Sequence, residues 1–266
     1  MRILVTGAAG ALGRVVTTGL TDRDHEVVGL DLVPAPEGWA GPWYTADCAD
    51  PEAVEAVFAR HRLDAVVHLA GIPDERGLRE SLESHTVTTA ALLDAMVSHG
   101  VPRLVNAGSN HAVGRTPRAE LADGVLTADV RPRPDTFYGV AKVAAEALMS
   151  LYADRHGIDA VSCRIGSFLP HPESVRGLST WLSEDDCVRM VEAALTTPAP
   201  GYAVLYGVSA NTRGWWDLAP GRALGYEPLD DAEDHTGAVV EREQDAAEAA
   251  HVGGPFATDA FIRPAL

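Results

Sequence analysis

A glycine-rich turn close to the amino terminus constrains the fold of this chain more than any other sequence feature. Three glycines at G-x-x-G-x-x-G spacing separate an apolar, β-branched run at 2–6 from a run with helical spacing at 12–20. Glycines at such a turn let the backbone bend tightly and approach a pyrophosphate, which then lies at the positive end of the helix. The turn therefore predicts a dinucleotide site at Gly7, Gly10, Ala11, Leu12 and Gly13. A structural glycine turn without a ligand is the alternative.

Strand-like and helix-like segments alternate along the chain after this turn. The strand-like runs are at 25–30, 64–69, 101–107, 160–165 and 202–208, and the helical patterns at 50–61, 78–99, 138–156 and 185–196. This alternation predicts an α/β fold, a Rossmann-type doubly wound parallel sheet with helices on both faces. Residues 1–166 are expected to form the nucleotide-binding core. Residues 167–266 are expected to add a small C-terminal substrate-side subdomain to the same compact domain.

Two stretches are expected to lie outside regular structure. Residues 111–136 are rich in Pro, Arg, Asp and Gly, which predicts a long surface loop, where functional residues often lie. The segment from Asp230 onward is acidic and polar, which predicts a solvated tail that covers an edge of the fold.

The composition excludes several classes of protein. The 266 residues carry a net charge of −17, and such a field repels nucleic acid and anionic membrane surfaces. No apolar run reaches the roughly 18 residues that span a bilayer, and the first one leads directly into the glycine turn, unlike a signal peptide. We therefore expect a cytoplasmic protein. The three cysteines are far apart and at no metal-binding spacing, so we expect neither a disulfide framework nor a metal site.

Acidic residues that follow predicted strands refine the nucleotide site. Asp31 ends the second strand, where a carboxylate accepts hydrogen bonds from both adenosine ribose hydroxyls and repels the 2′-phosphate of NADP. We therefore expect NAD as the cofactor; a solvent-facing Asp31 is the alternative. Asp47 ends a short extended segment and is either an adenine contact or a surface acid.

His68 lies within a predicted buried strand, which favours a core histidine over a catalytic one.

A tyrosine and a lysine lie at the start of the predicted helix at 138–156. Tyr138 and Lys142 are four residues apart and share one helical face. A phenol titrates near pH 10 and is a poor base at neutral pH unless a cation such as the Lys142 ammonium stabilises the phenolate. Ser109 ends an intervening strand. Together with the glycine turn, these residues predict an oxidoreductase; an exposed tyrosine with a lysine on the next turn is the alternative.

Several further stretches are far more specific than the glycine turn. They are Gly108-Ser109-Asn110-His111 before Val113-Gly114, Arg164-Ile165-Gly166-Ser167, Leu178-Ser179-Thr180-Trp181, Asp185-Asp186, Ser209-Ala210-Asn211 and Gly214-Trp215-Trp216-Asp217. On the basis of these stretches, the chain resembles the extended short-chain dehydrogenase/reductase superfamily (NAD-dependent epimerase/dehydratase-like) over nearly its whole length. Within that superfamily it is most similar to the bacterial uronate dehydrogenases.

The resemblance implies a role for individual residues. It implies that the catalytic residues are Ser109, Tyr138 and Lys142. It implies further cofactor contacts from Leu69, Ala70, Gly71, Tyr138, Lys142 and Ile165. It implies substrate contacts from Ser109, Asn110, His111, Tyr138, Ser167 and Arg176. The guanidinium fork of Arg176 also suits bidentate binding of a carboxylate. An exposed loop arginine is the alternative for Arg176, and loop capping is the alternative for Asn110 and His111.

The implied reaction is oxidation of a hexuronic acid at C1 to the aldarolactone, with hydride passing to NAD and Tyr138 as general base. Two positions depart from the expected pattern and leave the exact sugar open. Pro73 replaces a serine on the substrate side, and His85 replaces a helix asparagine. His85 is either a substitute polar group or a histidine on a helix face.

Other functions are also compatible with the sequence. One is an NAD-dependent sugar epimerase or dehydratase, or another sugar dehydrogenase, although 266 residues leave little room for the larger C-terminal domain of nucleotide-sugar enzymes. The other is a non-catalytic, NAD-sensing protein, which has no need of Ser109, Tyr138 and Lys142. The resemblance implies a homo-oligomer that contacts a small sugar acid, with the helices at 78–99 and 138–156 as dimer faces.

Overall fold

A parallel β-sheet forms the centre of the molecule. The computed structural model describes residues 1–265, and within them one sheet has seven strands in the order β3-β2-β1-β4-β5-β6-β9, every neighbouring pair parallel. The strands of this sheet are β1 (Arg2–Thr6), β2 (Glu26–Asp31), β3 (Trp43–Thr45), β4 (Ala65–His68), β5 (Arg103–Ser109), β6 (Asp159–Ile165) and β9 (Tyr202–Gly207). Two short strands, β7 (Ser167–Phe168) and β8 (Trp181–Leu182), pair separately.

Helices cover both faces of the sheet. The helices of residues 1–265 are α1 (Ala11–Thr21), α2 (Pro51–Phe58), α3 (Leu78–Leu82), α4 (Thr88–His99), α5 (Phe137–His156), α6 (Gly177–Thr180), α7 (Glu184–Thr196), α8 (Ala219–Ala223) and α9 (Asp245–Glu248), and α1, α2, α4, α5 and α7 pack on the sheet. A π-helical turn, Glu83–Val87, joins α3 to α4. Successive strand residues point to opposite faces. Ile3 and Val5 therefore pack with α1 and α7, and Leu4 packs with α2, α4 and α5.

The strand order places a crevice at the carboxyl end of β1. The chain proceeds from β1 outward to β2 and β3, and then returns to β4 on the other side of β1. In doubly wound sheets, ligands bind at the carboxyl ends of the strands where the order reverses in this way. The predicted Rossmann-type doubly wound sheet is therefore confirmed.

The helix ends follow from the residues that cap them. The Asp50 carboxylate accepts hydrogen bonds from the N–H groups of Glu52 and Ala53, as expected for an N-cap before a first-turn proline. Gly100 ends α4 with φ of 66°, a conformation that favours glycine. Every predicted strand and helix is present with its ends shifted by at most three residues, and the predicted helix at 78–99 is interrupted by the π-helical turn.

The structure refines one prediction about irregular regions and corrects another. The loop after β5 contains short 3₁₀ turns at Asn110–Val113, Arg118–Glu120 and Ala122–Gly124. The acidic segment after Asp230 is not simply a solvated tail, because Val252 is fully buried. Its amides pair with residues 114–118, which brings the segment next to the loop. Apolar residues spaced among its acids explain this packing.

Among residues 1–265, none of the helices is both long and apolar enough to span a bilayer.

Candidate active site

A cavity of about 860 Å³ opens at the carboxyl end of the sheet. This volume is within the usual range for small-molecule and cofactor sites, about 300–1,000 Å³. The lining comes from the glycine turn, the ends of β2 and β4, the π-helical turn, the end of β5 and the start of α5. The cavity thus brings together the two halves of the site that the sequence predicts.

The glycine turn is shaped to admit a phosphate group. Gly7 has φ of 68°, and a Cβ there would lie 2.7 Å from the Ala70 nitrogen, so only glycine fits. A Cβ at Gly13 would overlap the Gly7 carbonyl oxygen. Gly10 caps α1 without any side-chain hydrogen bond to the first turn. The N–H groups of that turn are therefore available to an anion at the positive end of the helix.

The other predicted nucleotide contacts line the same cavity. The Asp31 carboxylate, at the end of β2, accepts a hydrogen bond of 2.9 Å from the Ala9 N–H, which holds it beside the glycine turn. The Asp47 carboxylate accepts a hydrogen bond of 2.8 Å from the Ala49 N–H. Leu69, Ala70, Gly71 and Ile165 complete this part of the lining. The residues present therefore fit a dinucleotide.

His68 lies beneath this site and is confirmed as a core histidine. Its Nδ1 is 2.7 Å from the Thr6 hydroxyl and its Nε2 is 3.3 Å from the Thr88 hydroxyl. Burial lowers the pKa of His68 to about 3, and the Lys142 charge adds to that effect. Because both ring nitrogens have partners and the ring is uncharged, His68 supports the floor of the site.

The first turn of α5 is held by side chains that present Tyr138 to the cavity. The Thr136 hydroxyl accepts a hydrogen bond of 3.0 Å from the Gly139 N–H. The buried Glu75 carboxylate accepts from the N–H groups of Phe137 and Tyr138, at 3.1 and 3.0 Å. A carboxylate at a helix N-terminus also interacts favourably with the helix dipole. Glu75 was not identified in the sequence, because it lies 63 residues before Tyr138.

Burial changes the proton affinities of Tyr138 and Lys142 in opposite directions. It raises the pKa of Tyr138 to about 12, although a hydrogen bond with Ser109 acts against this rise. It lowers the pKa of Lys142 to about 8, and the Glu146 charge acts against that fall. The Lys142 ammonium donates a hydrogen bond of 2.7 Å to the Ala107 carbonyl and lies 5.4 Å from the centre of the Tyr138 ring. Stabilisation of the phenolate by Lys142 stays a prediction.

Ser109 is oriented by its own loop. Its hydroxyl oxygen accepts a hydrogen bond of 3.1 Å from the His111 N–H and so caps the 3₁₀ turn that follows β5. This bond engages a lone pair of the hydroxyl oxygen and leaves its hydrogen as a donor, either to the Tyr138 oxygen or to a ligand oxygen in the cavity. Ser109, His111, Tyr138 and Lys142 all line that cavity.

The two departures from the expected pattern also lie in the cavity wall. His85 belongs to the π-helical turn, and its Nε2 is 3.0 Å from the Ile72 carbonyl oxygen. Its ring meets the Tyr138 ring edge-on, with centroids 4.9 Å apart. Burial lowers the pKa of His85 to about 2, and the Lys142 charge contributes. Pro73 lies nearby in the lining. His85 is therefore an uncharged polar group in the site and not a helix-face histidine.

Three of the predicted substrate contacts lie outside the cavity lining. Asn110 is buried, and its side-chain oxygen has no partner within residues 1–265. The Ser167 and Thr180 hydroxyls are 2.8 Å apart. Arg176 donates a hydrogen bond of 2.9 Å to the Val252 carbonyl, and burial lowers its pKa to about 10. Arg176 is thus a half-buried cation held by the C-terminal segment.

The C-terminal segment contributes an aromatic wall that the sequence did not indicate. Phe256 lines the cavity and packs on His111, with ring centroids 4.5 Å apart. Within residues 1–265, no group of three or more His, Cys, Asp and Glu side chains is arranged so that it could hold a metal ion.

Comparisons with known proteins agree with this geometry. Residues 3–185 match the profile of the NAD dependent epimerase/dehydratase family. The chain is 38% identical to a uronate dehydrogenase of Pseudomonas putida over 262 residues, which cover 96% of this chain and 95% of that protein. It is 41% identical to a uronate dehydrogenase of Agrobacterium fabrum over 234 residues, 87% of this chain and 86% of the relative.

A solved structure shares the whole fold. The crystal structure of a variant uronate dehydrogenase from Agrobacterium tumefaciens, in complex with NAD, superposes with a TM-score of 0.89 at 38% identity. The superposition covers 100% of this chain and 98% of the other.

Proposed function

Because this chain belongs to the NAD dependent epimerase/dehydratase family, we propose that it is an NAD-dependent dehydrogenase that oxidises a hexuronic acid. The substrate class is glucuronate or galacturonate, and the product is the aldarolactone formed by oxidation at C1. One observation carries the proposal. A single cavity contains the glycine turn, Asp31 and the Ser109, Tyr138 and Lys142 side chains, in a chain that resembles uronate dehydrogenases over most of its length.

The cofactor side follows from the shape of the turn. Gly7, Gly10 and Gly13 would hold the pyrophosphate, and Asp31 the adenosine ribose, with Asp47 beside the adenine. The carboxylate of Asp31 would disfavour the 2′-phosphate of NADP. When bound, NAD supplies the hydride acceptor.

The proton chemistry belongs to the chain itself. Tyr138 takes the proton from the C1 hydroxyl as general base, and Ser109 donates a hydrogen bond to the same oxygen, which holds it in line. Lys142 supplies a positive charge near the phenol and a donor for the nicotinamide ribose. General-base assistance of this kind contributes roughly 10²- to 10⁴-fold to a rate.

The sugar side would be formed by the loop after β5, by β7 and by the loop before α6, with the C-terminal segment beside them. Asn110, His111 and Ser167 are proposed sugar contacts, and Arg176 is the proposed partner of the C6 carboxylate. A charge-assisted, bidentate guanidinium–carboxylate pair is stronger than a hydrogen bond to a neutral carbonyl. A uronate carboxylate would therefore displace the Val252 carbonyl from Arg176, with local movement of the C-terminal segment.

We also propose that the enzyme is a homo-oligomer of the cytoplasm. Val87 and Val97, beside and on α4, and Val140 and Leu151, on α5, are exposed apolar residues on neighbouring helices. Burial of such residues between copies would remove apolar surface from water. A mass close to 28.1 kDa in light scattering at micromolar concentration would contradict this part of the proposal.

A substrate panel tests the proposed function. Purified protein is incubated with NAD and glucuronate, galacturonate, neutral aldoses or UDP-sugars, and NADH is followed by absorbance. NADH formation confined to the free uronates is expected. Turnover of UDP-sugars without net NADH would favour an epimerase, and the absence of any turnover, with NAD bound, would favour an NAD-sensing protein.

A further inference from the structure

We propose that Asp135 is a positioning residue, which fixes the His111 imidazole as the Nδ1–H tautomer. Nε2 then faces the cavity as a hydrogen-bond acceptor for a sugar hydroxyl next to the one that reacts. The identity of the ligand rests on the proposed function; the tautomer does not.

The pairing of the two side chains determines which ring nitrogen carries the proton. His111 Nδ1 lies 2.8 Å from Asp135 Oδ2, and the Asp135 side chain is fully buried. The other carboxylate oxygen accepts a hydrogen bond of 3.1 Å from the Thr136 hydroxyl. An ionised carboxylate only accepts hydrogen bonds. The Nδ1 position of His111 must therefore be the donor.

Two glycines leave room for the Asp135 carboxylate. A methyl group at Gly114 or at Gly253 would overlap the Asp135 carboxylate. The Gly253 N–H donates a hydrogen bond of 2.8 Å to the Gly114 carbonyl, so the two segments close over Asp135 together. Burial of a carboxylate is costly unless it is hydrogen-bonded. Two chain segments that are remote in sequence therefore accommodate a group whose main partner is one cavity-lining histidine.

The second ring nitrogen of His111 is accessible from the cavity. The ring lines the cavity beside Tyr138, with centroids 5.9 Å apart, and Phe256 packs against it. Nε2 makes no hydrogen bond within residues 1–265 and is not among their buried unpartnered atoms. An imidazole that carries its only proton on Nδ1 presents a lone pair at Nε2. The neighbouring tyrosine places this acceptor close to the reacting hydroxyl.

The tautomer can be measured directly in the wild-type protein. Histidine is labelled with nitrogen-15, and the His111 resonances are assigned by their loss in a His111→Gln variant. At the pH of the activity assay, the nitrogen shifts should show a protonated Nδ1 and a bare Nε2. A proton on Nε2 alone, or on both nitrogens, would overturn the proposal without reference to any substrate.

The Asp135→Asn variant tests the consequence for sugar binding. The amide group preserves shape but can donate to Nδ1, which moves the ring proton to Nε2 and turns the acceptor into a donor. We expect KM for the uronate to rise by about 10- to 100-fold, with a smaller change in kcat and an unchanged Kd for NAD in a fluorescence titration. A wild-type KM would contradict the positioning role.

Matched variants separate this effect from a merely structural one. Glu192→Gln removes the carboxylate from another histidine pair, His25 Nε2 at 3.0 Å, outside the cavity, and should leave KM unchanged. Gly253→Ala displaces the Asp135 carboxylate without altering it, and should raise KM while NAD affinity is retained. An unchanged KM in Gly253→Ala would overturn the proposal even if Asp135→Asn failed to fold. Wild-type protein with the expected tautomer but no uronate turnover would contradict only the proposed function.

Discussion

At the residue scale, burial determines how the site handles protons. Tyr138 has a pKa of about 12 and Lys142 a pKa of about 8, so the phenol keeps its proton in the ligand-free protein at neutral pH while the lysine is mostly charged. Desolvation disfavours the charged form of each group, which explains the opposite directions. We infer that Tyr138 releases its proton only when ligands fill the cavity.

Removal of one hydroxyl should abolish most of the chemistry. Tyr138→Phe retains the ring that packs against His85 and His111, so NAD should bind as in the wild type. Turnover of uronate should fall by about 10²- to 10⁴-fold because the general base is lost. Steady-state kinetics and a fluorescence titration with NAD measure the two effects. Turnover at the wild-type rate would rule out Tyr138 as the base.

His85 should make the fold sensitive to acid. Its pKa of about 2 is far below the ordinary value of 6.5, so the unfolded chain binds the proton first as the pH falls. The free energy of unfolding should therefore be highest above pH 6.5 and fall between pH 6.5 and pH 2. The His85→Gln variant can still donate a hydrogen bond to the Ile72 carbonyl. Between pH 6.5 and about pH 5, its free energy of unfolding should fall by about 2 kcal/mol less than that of the wild type.

Urea unfolding at the two pH values tests this difference. His156→Gln is the control, because it removes an exposed imidazole from the end of α5. The same pH dependence in His85→Gln and in the wild type would show that His85 does not contribute.

At the scale of elements, the start of α5 is the place where two other parts of the site contact Tyr138 and its neighbours. Glu75 connects the loop after β4 to the first turn of α5, and the π-helical turn places His85 against Tyr138. A π turn inside a helix often occurs at a functional site. Two remote elements therefore determine where Tyr138 lies.

Loss of one carboxylate oxygen should loosen the start of α5. In the wild type, each Glu75 carboxylate oxygen accepts a hydrogen bond from one backbone N–H. In Glu75→Gln, the side-chain NH₂ group replaces one of these acceptors, and the loss should lower the free energy of unfolding by about 1–3 kcal/mol. We also expect kcat to fall, since Tyr138 would be less well placed. Urea unfolding and kinetics measure both, with Glu37→Gln as an exposed control. A fully stable Glu75→Gln protein would contradict the capping role.

The sequence predicted the main elements well and the short ones poorly. Buried strands such as β5 and capped helices such as α5 have long apolar patterns and clear end signals, so both were identified. The strand pair β7 and β8 was not, because each strand is only two residues long and its pairing depends on contacts remote in sequence. The glycine turn and Tyr138 were identified because their spacing is local.

At the scale of the whole molecule, the C-terminal segment completes the site. Val252 accepts a hydrogen bond from Arg176, Gly253 closes over Asp135, and Phe256 forms part of the cavity wall. The sequence could not indicate these contacts, since each partner lies at least 76 residues away. The acidic composition of the segment instead suggested a solvated tail.

The C-terminal segment should therefore affect sugar binding. Phe256→Ala removes an aromatic contact with His111, and we expect KM for the uronate to rise by up to about tenfold. Phe261→Ala is the matched control, because Phe261 stacks on Phe256 but does not line the cavity. Steady-state kinetics of both variants provide the comparison. Equal KM values for Phe256→Ala and the wild type would argue against a sugar-side role for the segment.

The proposed reaction is tested most directly by the fate of C1. Glucuronate labelled with carbon-13 at C1 is incubated with the wild-type protein and NAD, and carbon NMR and NADH absorbance are recorded together. The proposed function predicts that the C1 resonance moves to that of a lactone carbonyl, with one NADH formed for each sugar consumed. If the C1 resonance stays at that of the hemiacetal carbon, without NADH or with epimerisation at another carbon, the proposed function is contradicted.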